Sequence, residues 1–146
     1  MPSSLILIND RSEVLFHERP SWAKIGDDWI SPPGGMVEDL NRPLEEELAR
    51  EVQEETGLEL DPTTFELVSS SVEKLTRYSE DPESGTTASY VHQFLWNIYV
   101  LKGIGADVPL TPGDDAVRFV WVPLSEAQKH PRISAGMKAA IAKATA

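Results

Sequence analysis

Between Arg50 and Leu58 the chain reads REVQEETGL, three glutamates and an arginine within nine positions. Placed on an α-helix at 100° per residue, Glu47, Glu51, Glu54 and Glu55 share a sector of about 100°. Like charges at i, i+3 and i, i+4 repel by roughly 0.2–0.5 kcal/mol per pair on an exposed helix, and more where water is excluded. The cluster needs something positive to compensate it. Carboxylate oxygens on one rigid face suit Mg2+, a hard cation that takes one or two carboxylates, keeps several waters and shares phosphate oxygens with a substrate. The chemistry this points to is metal-assisted phosphoryl transfer. Arg50, whose guanidinium stays charged, suits the task of orienting neighbouring carboxylates. A solvated acidic face is the competing explanation. It fits Glu45 and Glu46 but not Glu55, which falls on the wheel between Leu44 and Leu48, at the margin of an apolar stripe.

The helix that carries these groups is predicted from Pro43 to Thr56, with Pro43 suited to a first turn and Gly57 to a stop. Leu44, Leu48 and Val52 recur at i, i+4 within about 80° and should face a core. Upstream, DDWISPPGGMVEDLNRP is rich in Pro and Gly and reads as a loop. Its Pro32–Gly35 turn places two residues without Cβ where backbone can approach a ligand, and a glycine carbonyl is a hard donor. SSLILIND and EVLFHERP read as two strands of a hairpin about an NDRS turn. FELVSSSVEKLTRY, ASYVHQFLWNIYVLK and AVRFVWVPL read as further strands, and SEAQKH and ISAGMKAAIAKA as helices, the first opening on a Ser125 cap. Strands bracketed by helices imply a layered α/β domain with a mixed sheet.

At 146 residues the chain is expected to form one domain, residues 1–146, able to bury its own core. With 24 acidic against 13 basic residues, a net charge of -11, the surface field repels a long polyphosphate backbone, so duplex nucleic acid is not an expected partner. A small anionic ligand remains compatible once divalent cations stand between it and the carboxylates. No apolar run approaches the ~20 residues of a membrane span, and MPSSLILIND has no basic n-region, so neither a membrane association nor a secretory leader is expected and the location expected is cytoplasmic. The absence of cysteine removes thiol catalysis and cysteine–zinc sites, leaving oxygen or imidazole to hold any metal.

Gly35, Arg50-Glu51, Glu54-Glu55 and Gly57 resemble the Nudix box, in which a glycine and glutamate loop leads into Arg-Glu-aliphatic-x-Glu-Glu-x-Gly-aliphatic; residues 50–58 match its second half at every fixed position. Trp29, Glu38, the opening hairpin and the late FVWVPLSEA extend the resemblance over nearly the whole chain. The first half departs from the pattern. Counting back from Arg50, the upstream glutamate falls on Arg42 and the leading glycine on Met36; one inserted residue restores the glycine but leaves Asn41 or Arg42 in place of the glutamate. In the family that glutamate braces the loop against the motif arginine, so its replacement bears on loop rigidity and on any third metal site.

The resemblance implies a Nudix-like α/β/α sandwich and hydrolysis, at the pyrophosphate, of a nucleoside diphosphate linked to another group. A nucleotide-sugar, ADP-ribose, a dinucleoside polyphosphate or a nucleoside triphosphate would each be such a small nucleotide-derived substrate. It implies Mg2+, with Mn2+ as substitute, held by Glu51, Glu54, Glu55 and the Gly35 carbonyl, with Arg50 completing the catalytic group. Arg19 and Glu38 are the expected substrate contacts, and Asp114 and Asp115 of TPGDDAVRF a source of a base outside the box, or else solvated acids of a turn. Trp29, Trp96 and Trp121 offer faces for a base or for packing. Two rival readings are a nucleotide sensor on the same fold, motivated by Arg42, and an RNA 5′-end pyrophosphohydrolase, which the acidic balance disfavours. Either a monomer or a homodimer is compatible with the sequence.

Overall fold

The computed structural model describes residues 2–18, 29–36, 41–113 and 118–146, with the backbone alone for residues 36, 73, 75–80, 90 and 92. Arg19, Glu38, Asp114 and Asp115 lie outside the described residues. The elements run β1 (Pro2–Asn9), β2 (Glu13–Glu18), β3 (Gly34–Met36), α1 (Leu44–Thr56), β4 (Glu66–Glu80), β5 (Thr87–Ile104), β6 (Arg118–Pro123), α2 (Leu124–Ala127) and α3 (Ala135–Ala144). Among the described residues the six strands form one sheet in the order β4-β5-β1-β2-β6, with β3 beside β1.

The centre of the sheet is β1, and its sequence explains why. Leu5, Ile6 and Leu7 are fully buried and Ile8 nearly so, the continuous apolar run expected of a strand covered on both faces. Period-2 alternation divides it. Leu5 and Leu7 join Leu15, Tyr99 and the Leu48 and Val52 stripe of α1. Ile6 and Ile8 join Val14, Phe16, Ala127 of α2, and Met137, Ala140 and Ile141 of α3. At roughly 1.5–3 kcal/mol for each large side chain fully buried, these two clusters hold the helices against opposite faces. The result is an α/β/α sandwich. The sheet is mixed because β1 runs parallel to β5, from Ser3 opposite Asn97 to Asn9 opposite Ile104, while the other pairings are antiparallel. No helix among the described residues is long and apolar enough to cross a membrane.

What positions the site is a split in this sheet. β1 and β2 pair next to their turn, Ile8 opposite Val14, and then diverge. The segment from Ser31 to Met36 fills the gap. Ser31 exchanges hydrogen bonds with His17 of β2, at 2.8 and 3.2 Å, and the Pro33 carbonyl accepts from Leu5 N–H of β1 at 2.9 Å. Gly34–Met36 then pairs with Pro2–Ser4. The Pro-Pro-Gly-Gly run, read from sequence as a turn, is therefore a wedge that ends in a short strand. Prolines lack the N–H a central strand needs on both edges, and here the Pro33 carbonyl serves instead.

α1 forms as its stripe predicts, starting one residue after Pro43. Gly57 ends it in the left-handed region (φ 78°), its N–H bonded to the Gln53 carbonyl at 2.8 Å. Two local expectations are corrected. Ser125 lies inside α2, which Pro123 precedes with no side-chain cap, and the capping serine belongs to α3, where Ser134 accepts from Met137 N–H. Glu45 is not simply solvated, since it accepts a 2.9 Å hydrogen bond from the Tyr99 hydroxyl; burial, then this bond, pushes that hydroxyl up to about 12.

Candidate active site

Two glycines on β3 meet two glutamates on α1. A Cβ on Gly34 would stand 2.1 Å from the Ser3 carbonyl oxygen, so only glycine lets this strand lie against β1. Its N–H donates to Glu55 Oε2 at 3.1 Å. A Cβ on Gly35 would stand 2.7 Å from Glu51 Oε2, so the missing side chain is the space into which that carboxylate fits. Gly34, Gly35, Glu51 and Glu55 line one cleft of about 390 Å³ together with Trp96 and Met137. The parallel register that sets Ser3 beside Asn97 brings Trp96 there, and its indole N–H donates to Ser4 Oγ at 3.1 Å.

Arg50 holds the glutamates in order. Its Nη2 donates at 3.0 Å to both Glu47 Oε2 and Glu51 Oε1, its Nε to Glu47 Oε2 at 3.3 Å, and its Nη1 to Glu54 Oε1 at 2.6 Å. The hydrogen bonds to Glu47, against the opposing effect of burial, raise the guanidinium further above its already high range, so it stays charged at every working pH. Glu51 is thus divided, with Oε1 on Arg50 and Oε2 against Gly35.

The structure brings Gly35, Glu51 and Glu55 together and leaves Glu54 to one side, 59% exposed and paired with Arg50. Among the described residues no three carboxylates or imidazoles are grouped closely enough to form a metal cage. That arrangement still fits Mg2+, which takes one or two protein carboxylates and fills its octahedron with water and phosphate oxygens. Two hard carboxylates in the lining of one cleft, one of them beside a glycine that leaves it room, are such a donor set.

Two features escaped the sequence reading. Gly113 N–H donates to the Glu55 carbonyl at 3.1 Å and Thr111 N–H to the Thr56 carbonyl at 2.8 Å, so the loop leading to Asp114 is pinned on the last turn of α1. A Cβ on Gly113 would stand 2.5 Å from the Glu54 carbonyl oxygen, and the glycine of TPGDD was the available signal. Glu47, grouped by the helical wheel with the other acids, is 2% exposed. Its signal was a place three residues before Arg50, one helical turn away. Unlike Trp96, Trp29 is 44% exposed and Trp121 packs on the α1 side of the sheet; neither lines the cleft.

A family model of the NUDIX domain matches residues 2–144. No curated protein matches the sequence at a significant level. Among solved structures, the MutT protein from Methanosarcina mazei Go1 superposes with a TM-score of 0.67 at 18% identity, over 97% of this chain and 89% of that one. The Nudix hydrolase RenU from M. smegmatis gives 0.64 at 15% identity, over 99% and 82%. A C. elegans Ap4A hydrolase, solved as a binary complex, gives 0.59 at 16% identity, over 99% and 93%. At these identities the structural likeness speaks for the fold alone.

Proposed function

Since the chain belongs to the Nudix family, and so to hydrolases of phosphoanhydride bonds, we propose that it is a Mg2+-dependent pyrophosphohydrolase of small nucleoside diphosphate derivatives. The observation that carries this reading is the meeting of Glu51 and Glu55 with Gly34 and Gly35 in the lining of one cleft. Glu51, Glu55 and the Gly35 carbonyl are the proposed ligands, with Glu54 joining them from its pair with Arg50. A divalent cation there, Mg2+ or Mn2+ in its place, neutralises phosphate oxygens and makes water a better nucleophile. The chain's own part is positional. Gly34 N–H fixes Glu55, and Arg50 fixes Glu51. Asp114 and Asp115 are the proposed source of a base, supported by the pinning of Gly113 to Glu55, while Arg19 and Glu38 are proposed as substrate contacts from their places in the sequence.

Trp96 and Met137 add an aromatic ring and a thioether to the lining of the same cleft, suited to a nucleobase. A nucleotide-sugar, ADP-ribose, a dinucleoside polyphosphate and a nucleoside triphosphate all present the same pyrophosphate to the glutamates, so a screen of these four classes with product identification selects among them. The proposed setting is the cytoplasm, with residues 1–146 acting as one domain, monomeric or homodimeric.

Mg2+ alone should raise the melting temperature. A ligand bound only by the folded state stabilises it by about 2.7 kcal/mol at 100 times its Kd, and here it also relieves repulsion among the glutamates. The shift should vanish in the double variant Glu51→Gln/Glu55→Gln. An equal shift in that variant would put the stabilising metal elsewhere.

The two glycines should separate fold from chemistry. In Gly34→Ala the new methyl meets backbone, which cannot give way cheaply, so a loss of roughly 5 °C in Tm is expected. In Gly35→Ala its nearest neighbours are atoms of the flexible Glu51 side chain, so Tm should fall by less than about 2 °C while kcat falls about 10-fold. Melting curves and steady-state rates on the two variants check the contrast.

A further inference from the structure

The carboxylate most deeply placed in α1 is not one of the proposed ligands. Glu47 is 2% exposed and receives Arg50 through two donors, Nε at 3.3 Å and Nη2 at 3.0 Å, both on Oε2. Its other oxygen lies 3.9 Å from Nη1 of Arg42, an exposed side chain preceding the helix. A carboxylate so withdrawn from water is costly unless cations and hydrogen bonds satisfy it, so the two arginines account for its burial. The same Nη2 that holds Glu47 also holds Glu51, and Nη1 holds Glu54. Arg50 is one positive charge divided among three glutamates.

We propose that Glu47 is a positioning residue for metal binding: it anchors Arg50 on the helix and keeps that charge from closing fully on Glu51 and Glu54. The physical reason is competition. A guanidinium is a strong partner for a carboxylate, and a cation approaching Glu51 must share the carboxylate with it. With Glu47 in place, two of the four hydrogen bonds that Arg50 makes to glutamates are spent on a residue that binds no metal. With Glu47 neutral, Arg50 turns wholly to Glu51 and Glu54 and the negative charge facing a cation drops. The anchor lies one turn away from Arg50 on the same helix, and Arg42, just before Pro43, supports it from the other side.

The inference rests on Glu51 and Glu55 being metal ligands, and Mg2+ titration by calorimetry tests the two separately. Glu47→Gln should weaken Mg2+ binding about 10-fold and raise the Mg2+ concentration for half-maximal rate equally, while kcat at saturating Mg2+ stays within about threefold of wild type. Glu46→Gln removes the same charge from an exposed position on the helix and should bind Mg2+ as wild type does. Glu47→Asp keeps the charge with a shorter reach and should fall between, about threefold weaker, and it carries the test if Glu47→Gln fails to fold. Wild-type Mg2+ affinity in Glu47→Gln or Glu47→Asp, or a kcat that saturating Mg2+ does not restore, overturns the positioning role. Unchanged Mg2+ binding in Glu51→Gln/Glu55→Gln overturns the ligand assignment beneath it.

Discussion

Glu55→Gln is expected to lower kcat by at least about 100-fold with the protein still folded. The amide keeps the shape of the side chain and an oxygen able to accept from Gly34 N–H, so the bond between β3 and α1 that holds the site together survives. What it loses is the negative charge that binds and balances a cation in the transition state. A 100-fold loss corresponds to about 2.7 kcal/mol, within the several kcal/mol that metal charge stabilisation supplies. Glu51→Gln and Glu54→Gln are expected to fall with it. Glu46→Gln should match wild type, because its side chain is exposed and lies outside the acidic sector. Comparing kcat of the four variants, each checked by circular dichroism, decides the assignment residue by residue. Full activity in any of the first three removes that glutamate from the site.

The second large effect concerns the bond cleaved. Compounds with a phosphoanhydride should be hydrolysed at least about 1000-fold faster than AMP or an ordinary phosphodiester. Glu51 and Glu55 line the same cleft, and a cation held by them would take closely spaced oxygens from adjacent phosphoryl groups to complete its shell. A monoester or diester offers a single phosphoryl group, so it forfeits the bridging charge stabilisation that provides most of the rate. Relative kcat/KM values across such a panel check this. Release of phosphate from AMP at a comparable rate would contradict it.

Much of the fold was legible because it depends on local pattern. The LILI run marked a strand, the Leu44, Leu48 and Val52 stripe marked the buried side of α1, and Gly57 marked its end. The parts that were not legible depend on distant partners. Nothing local in PPGG says that Gly34–Met36 will pair with Pro2–Ser4, since that strand exists only because β1 and β2 diverge. The choice of Trp96 over Trp29 and Trp121 follows from the parallel register between β1 and β5, set over more than ninety residues of sequence. Ser125 had the right chemistry for a cap, but Pro123 had already set the start of α2.

The site was read in the same uneven way. Glu51 and Glu55 were placed by helical geometry, and the structure puts them together beside Gly35. Glu47 was grouped with them because a wheel gives direction but not depth; its burial depends on two arginines, one of them before the helix. The same contacts give Arg42, whose place in the sequence suggested a weakened loop, a partner inside α1.

Hydrolysis of a nucleoside diphosphate derivative in ¹⁸O-labelled water, followed by mass analysis of both products, tests the proposed chemistry most directly. With Mg2+ present, one ¹⁸O atom should enter one of two phosphorylated products, formed by attack of water at phosphorus, and neither product should form at a comparable rate with the metal chelated or in Glu51→Gln/Glu55→Gln. Label in a released sugar or alcohol, or the same labelled products at an undiminished rate without metal, would contradict it.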